Sequence, residues 1–168
     1  MATAADPTLK KKSPQYLNLL PCPRWKEAVE TGQIEFASRY RRQVNLTEFA
    51  AQALTFCAHY TGDELFYEMY DAYDFNKQRS RALMLTDELA ARLKEFSEHL
   101  SATTDKYAER LAFASRYNGS EGPAWSNRYA ICAALYVYSN HLLKFRDREI
   151  LLPKDSKLEI QAPLSGAA

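Results

Sequence analysis

The three histidines are the first residues to consider for metal binding or acid–base chemistry, and each stands alone on a predicted helix: His59, His99 and His141. Glu95 lies one helical turn before His99, which is the sequence's nearest approach to a pair of metal ligands. Dimetal carboxylate sites in helical proteins use Glu-x-x-His on two helices together with two further glutamates. Here the spacing differs and one copy is present, so a solvated Glu–His pair is the simpler interpretation. We predict no metal site.

The cysteines and the acidic residues also form no recognisable catalytic motif. Cys22, Cys57 and Cys132 are odd in number and far apart, which does not fit a zinc site or a disulfide framework and favours free thiols in a reducing cytoplasm. A calcium loop starting at Asp71 fails because Asn76 occupies the position where an EF-hand needs glycine. The sequence has no phosphate-binding loop, nucleophile elbow or HExxH. We therefore predict a protein that is not an enzyme and uses no cofactor.

The strongest charge asymmetry lies in residues 46–76, which hold six acidic residues and no basic one in a chain of net charge +1. The predicted helix over 62–73 is aromatic on one face and acidic on the other. A solvated charged face is the ordinary explanation of such a run, and a surface for a basic partner is the functional one. The candidate partner-binding residues are Glu64, Glu68, Asp71 and Asp74.

Two basic clusters could contact nucleic acid: one closes a predicted helix and the other lies in a predicted linker. Guanidinium groups beside an aromatic side chain suit phosphate contacts combined with base stacking. Arginine at a helix C-terminus also interacts favourably with the helix dipole, and the net charge near zero is unlike that of a typical nucleic-acid-binding domain. The candidate nucleic-acid-binding residues are Arg39, Arg41, Arg42, Lys77, Arg79 and Arg81.

The helices that must position these residues can be predicted from apolar periodicity and capping residues. Asn45 and Thr61 are expected N-caps, each followed three residues later by a glutamate, and Gly62 is expected just past the end of a helix. Gly32 should end or bend the first helix. A helix from Thr86 either continues to residue 117 or breaks at 101–104, where small hydroxyl side chains compete for backbone hydrogen bonds.

The stretch 124–148 carries apolar residues on two sides, which is typical of a helix buried among others. With five glycines in 168 residues and no strand–glycine-loop–helix unit, the fold class is predicted to be all-α, a single-domain helical bundle of five to six helices around this central hydrophobic helix. Residues 1–14 are expected to be a mobile basic tail, 15–149 the helical domain and 150–168 an extended C-terminal arm. A short strand over 157–161 is conceivable.

The longest uncharged run of the central helix, residues 129–143, is shorter than the roughly 20 residues that cross a bilayer. The N-terminus lacks the apolar segment of a secretory leader. We therefore expect a soluble, cytoplasmic protein without membrane contact.

Two functions remain open. The first is a non-catalytic α-helical interaction protein, a small subunit or adaptor of a larger assembly that binds a protein partner or itself, with no small-molecule substrate. The alternative is an accessory subunit of a nucleoprotein complex, comparable to the small helical subunits of CRISPR effector complexes, although no motif of theirs is present. Such a subunit would contact the phosphate backbone through its Arg/Lys clusters without reading sequence.

Overall fold

Helices make up most of the described residues, as predicted, but two short strands accompany them. The computed structural model describes residues 12–19, 22–72, 81–117 and 124–144, and the side chains of these residues apart from Asp71 and residues 113–117. Most of the predicted tail and the whole C-terminal arm, including 157–161, lie outside these ranges. In chain order the elements are β1 (Gln15–Leu19), α1 (Pro23–Tyr40), α2 (Leu46–Cys57), α3 (Gly62–Glu68), a 3-10 turn (Tyr70–Ala72), β2 (Arg81–Leu85), α4 (Asp87–Ala102), α5 (Ala108–Tyr117) and α6 (Asn127–Lys144).

The helix α6 is buried on nearly all sides, as its two apolar stripes predict. Twelve of its 18 residues are buried, which leaves no continuous solvent-facing side. It packs against α1, α2, α3 and α4. The indole Nε1 of Trp25 donates a hydrogen bond of 2.7 Å to the carbonyl oxygen of Cys132, which joins α1 to α6 inside the core. A helix that is apolar around its circumference requires neighbours of this kind.

Gly32 does not end α1, which continues through it to Tyr40. Its role is close packing, because a Cβ atom placed on Gly32 would lie 2.5 Å from the Cβ of Ser139 on α6. The helix ends instead at Arg41, whose φ of 49° is left-handed.

The predicted N-caps are confirmed. The side chain of Asn45 accepts from the N–H of Glu48 at 2.8 Å, and Thr61 and Glu64 form a complete capping box. The expectation for Gly62 is wrong, because α2 already ends at Cys57 and Gly62 is the first residue of α3. A side chain on Gly62 would collide with α4 at Leu100 and with the following Thr104, so close approach accounts for this glycine.

The long predicted helix breaks where the hydroxyl side chains lie, since α4 ends at Ala102 and α5 begins at Ala108. The hydroxyl of Thr103 donates to the carbonyl oxygen of His99 at 2.8 Å, and that of Thr104 donates to Leu100 at 2.7 Å. These hydroxyl groups form hydrogen bonds with carbonyl groups in the last turn of α4, where the helix ends.

A small two-stranded sheet, which the sequence does not predict, accompanies the predominantly helical fold. β1 and β2 pair antiparallel, with Gln15 opposite Leu85 and Leu19 opposite Arg81. Arg81, predicted to lie in a linker, is therefore the first residue of a strand. The sheet turns one face to the core, because Leu19 and Leu83 are fully buried while Tyr16 and Met84 are exposed. Each strand forms its backbone hydrogen bonds with a segment more than 60 residues away. Neither strand can therefore be predicted from its own local sequence.

In the described ranges, no helix combines the length and the apolar character that crossing a membrane requires.

The position of α6 predicts the effect of placing a charge in it. Leu135 is completely buried, so Leu135→Asp would bury a carboxylate without a partner and destabilise the fold by about 4 kcal/mol or more. Ile34 on α1 is 69% exposed, and Ile34→Asp provides the matched control with little expected effect. Circular dichroism during thermal unfolding measures both variants. A Leu135→Asp protein with unchanged helix content and melting temperature would contradict a central α6.

Candidate docking groove between α3 and α5

Two adjoining cavities of about 790 and 490 Å³ lie between α3 and the start of α5. They share Tyr67, Glu68, Lys106 and Tyr107, so they form one concave surface with these four residues at the boundary between the cavities. The α3–α5 groove, as we call this surface, comprises residues 59–60, 63–64, 67–68, 70 and 105–110. It is the candidate functional site because it combines a concave shape with exposed aromatic and charged side chains.

Asp63 joins the two walls of the groove. Its carboxylate accepts hydrogen bonds from the backbone N–H groups of Asp105, Lys106 and Tyr107 at 3.1–3.2 Å. A residue in the first turn of α3 thus caps the entry to α5, although it lies more than 40 positions earlier in the chain. Partial burial acts to raise the pKa of Asp63, but the three N–H groups outweigh it and hold the pKa below its ordinary value.

The α3 wall of the groove carries two further acidic residues. The carboxylate of Glu64 accepts the backbone N–H of Thr61 at 2.9 Å, which lowers the pKa of Glu64 and fixes its position on the rim. Glu68, one turn further along, is exposed to solvent. The apolar side of α3 faces inward as predicted, with Leu65 and Phe66 fully buried. α3 therefore presents a charged outer surface on a tightly anchored helix.

Tyr67 and Tyr70 are the large aromatic side chains that this surface exposes, by 65% and 47% respectively. Tyr70, which belongs to the aromatic face of the predicted helix over 62–73, lies beyond the end of α3 in the 3-10 turn. The guanidinium of Arg110 lies 4.9 Å from the centre of the Tyr70 ring and also donates to the Tyr70 hydroxyl. On the other wall, the ammonium of Lys106 lies 5.3 Å from the Tyr107 ring. The groove thus already contains two cation–π contacts of its own.

The groove is acidic overall. It holds five carboxylates against two cationic side chains, with histidine counted as neutral. The carboxylates belong to Asp63, Glu64, Glu68, Asp105 and Glu109, and the cations to Lys106 and Arg110. A concave surface with this balance attracts positively charged groups and repels phosphate.

Two of the four predicted partner-binding residues, Glu64 and Glu68, line the groove. The side chain of Asp71 and the whole of Asp74 lie outside the described residues. The α5 wall cannot be predicted from the local sequence. Lys106 and Arg110 lie next to α3 because the chain breaks after α4 and because Asp63 caps the start of α5.

The predicted nucleic-acid-binding arginines are largely engaged within the fold. Arg39 pairs with Glu35 at 2.9 Å and also donates to the Leu142 carbonyl oxygen. Arg42 pairs with Glu48, and Arg81 donates to the side-chain oxygen of Gln33 at 3.3 Å. Arg41 is exposed at the left-handed end of α1, whereas Lys77 and Arg79 lie outside the described residues.

The residues that could have carried chemistry take structural positions. His99 Nε2 lies 3.0 Å from the carbonyl oxygen of Tyr60, and the ring of His141 packs 4.4 Å from that of Phe56. Cys22, Cys57 and Cys132 are buried as free thiols, and burial raises the pKa of the Cys57 thiol far above neutrality. In the part of the chain that the structure describes, no three His, Cys, Asp or Glu side chains converge as a metal site would require.

Comparison of the chain with protein-family models, with curated proteins and with solved structures finds no match.

The Asp63 cap predicts a pH-dependent contribution to stability. Asp63→Ala removes the acceptor for three N–H groups and should cost about 1 kcal/mol of unfolding free energy at pH 7. Because the folded-state pKa lies below the ordinary value of 3.8, the contribution is complete above that value and disappears as the pH falls through the folded pKa. Urea unfolding of both proteins at pH 7 and below pH 3 measures this change. A stability difference that persists unchanged in acid would contradict the role of the carboxylate charge.

Proposed function

We propose that the protein is a non-catalytic interaction subunit, a single-domain helical bundle in which α6 is scaffold and the α3–α5 groove docks a basic segment of a partner protein in a larger assembly. One observation carries the proposal: Tyr67 and Tyr70, two large and substantially exposed aromatic side chains, lie in a groove whose carboxylates outnumber its cations by five to two. Exposed tyrosine inside a concave polar surface is characteristic of protein interfaces.

We infer the binding mode of such a partner from the contact between Arg110 and Tyr70, in which a cation stacks on a tyrosine ring. In the described residues, the ring of Tyr67 has no corresponding cation, and Glu64 and Glu68 lie on the same short helix. An arginine from the partner could stack on Tyr67 while its guanidinium pairs with a carboxylate of the groove. Arginine suits this position better than lysine, because its planar guanidinium both stacks and donates in parallel to a carboxylate.

The affinity and the specificity of this contact would have different origins. Exposed ion pairs are worth about 0–1 kcal/mol each, so Glu64 and Glu68 would mainly guide the partner and set its charge preference. The larger contribution would come from burying the Tyr67 ring, since aromatic side chains dominate the energetics of interfaces. The nucleic-acid alternative has less support, because three of its four described arginines already have acceptors within the fold.

The proposal predicts that capture of the partner depends on Tyr67 and Glu68. Co-purification from the source cells, followed by mass spectrometry, identifies the partner, and titration of wild type and variants then measures affinity. Tyr67→Ala should weaken binding about tenfold or more, because it removes the exposed ring on which the cation stacks. Glu68→Lys should weaken binding most strongly at low salt, where electrostatic attraction is least screened.

Two variants on α1 serve as matched controls: Ile34→Ala truncates an equally exposed apolar side chain, and Glu27→Lys reverses an exposed charge. Both should bind like wild type. Equal affinity of the Tyr67, Glu68 and α1 variants for the captured partner would refute docking in the groove.

The alternative function has its own discriminating variant. Arg41 is the exposed member of the arginine cluster at the end of α1. If the chain contacts phosphate there, Arg41→Glu should weaken retention on single-stranded DNA severalfold at low salt, whereas Tyr67→Ala should not. We expect Arg41→Glu to be retained on single-stranded DNA like wild type. We also expect partner binding to be impaired only in the groove variants.

A further inference from the structure

The small sheet has one covered side and one open side. On the β2 side, the hydroxyl of Thr47 in α2 donates to the carbonyl oxygen of Met84 at 2.8 Å. In the described residues β1 pairs with β2 and with no further strand, and α6 also contacts β1. In an antiparallel pair, every second residue directs its N–H and C=O groups away from the partner strand. Among the described residues, the outer edge of β1 therefore has backbone donors and acceptors without a partner strand.

The composition of β1 lacks the usual protection of an exposed edge. Edge strands in soluble proteins are commonly blocked by charged side chains, especially lysine, or by proline. The five residues of β1, Gln-Tyr-Leu-Asn-Leu, are uncharged, and Pro14 lies just before them. Tyr16 is 60% exposed on the outer face, and Leu17 on the core-facing side is only half-buried. This edge can accept a further strand without meeting a repelling charge.

We propose that the occupant is β1 of a second copy of this chain, paired antiparallel about a two-fold axis at Leu17, so that two two-stranded sheets join into one of four strands. In this register, Tyr16 lies opposite the second copy's Asn18, and the two Leu17 side chains lie opposite one another. The interface is isologous, with the same five residues on both sides. An uncharged strand is self-complementary in this arrangement, and Pro14, which has no N–H group, ends the ladder on each side.

The size of the contact sets its strength. A pair of five-residue strands buries much less than the roughly 1,200–2,000 Å² of a standard stable interface, so the dimer should be weak and depend on concentration. Sedimentation velocity of the full chain over about 1–200 µM should show a reversible monomer–dimer equilibrium, with a Kd on the order of 10 µM or weaker.

Charge placed at the edge tests whether β1 carries the contact. Tyr16→Lys combined with Asn18→Lys brings four ammonium groups together across the axis and should raise the dimer Kd at least tenfold. The matched control, Ala82→Lys combined with Met84→Lys, adds the same charges to the same exposed face one strand further from the axis and should have a much smaller effect. Equal loss of dimer in both variants would overturn the assignment to the β1 edge.

Cross-linking tests the register. Tyr16→Cys and Asn18→Cys chains should form a disulfide-linked dimer when mixed and oxidised, whereas each variant alone should remain uncross-linked. Identical residues are offset by two positions in this register, beyond the roughly 7 Å between Cα atoms that a disulfide spans. The native Cys22, Cys57 and Cys132 are buried and do not compete. A chain that stays monomeric at every concentration, or cross-links equally with and without mixing, would refute the proposal.

Discussion

The burial of α6 is the constraint on which the positions of the other helices depend. A helix that is apolar on every side is stable only if neighbours cover all of its faces. α1 comes close because Gly32 has no side chain to separate it from Ser139, and the indole of Trp25 donates into the centre of α6. From α2, the rings of Phe49 and Phe56 pack 5.4 and 5.1 Å from that of Tyr138. Because most of α6 is buried by packing, the larger exposed surfaces lie on the outer elements.

The parts of the fold that depend on neighbouring residues could be predicted from the sequence. The starts of α2, α3 and α4 follow from Asn45, Thr61 and Thr86, each of which accepts the N–H of the residue three positions later. The parts that depend on distant residues could not. β1 and β2 exist because they pair with each other across the chain, and five alternating residues resemble an extended arm when that pairing is unknown.

The candidate site shows the same division. The acidic run identified Glu64 and Glu68, since charge is a property of composition. The aromatic and basic half of the groove was not predicted, because Lys106 and Arg110 meet α3 only through a carboxylate more than 40 residues away. The arginine cluster could be identified in the sequence, but the contacts of its members within the fold were not predicted. Glu35 lies one helical turn before Arg39 and indicates an internal ion pair.

The capping of α5 by Asp63 has a consequence for how this surface can change. The separation of the two groove walls is set by a carboxylate and three backbone N–H groups. Tyr67 and Glu68 project from the α3 wall and take no part in this cap. Asp63 therefore contributes to both the spacing and the charge of the groove, whereas Tyr67 and Glu68 supply exposed side chains that do not cap either helix. If Tyr67 and Glu68 select the docked segment as proposed, their substitution would change which segment binds while the spacing set by Asp63 stays constant.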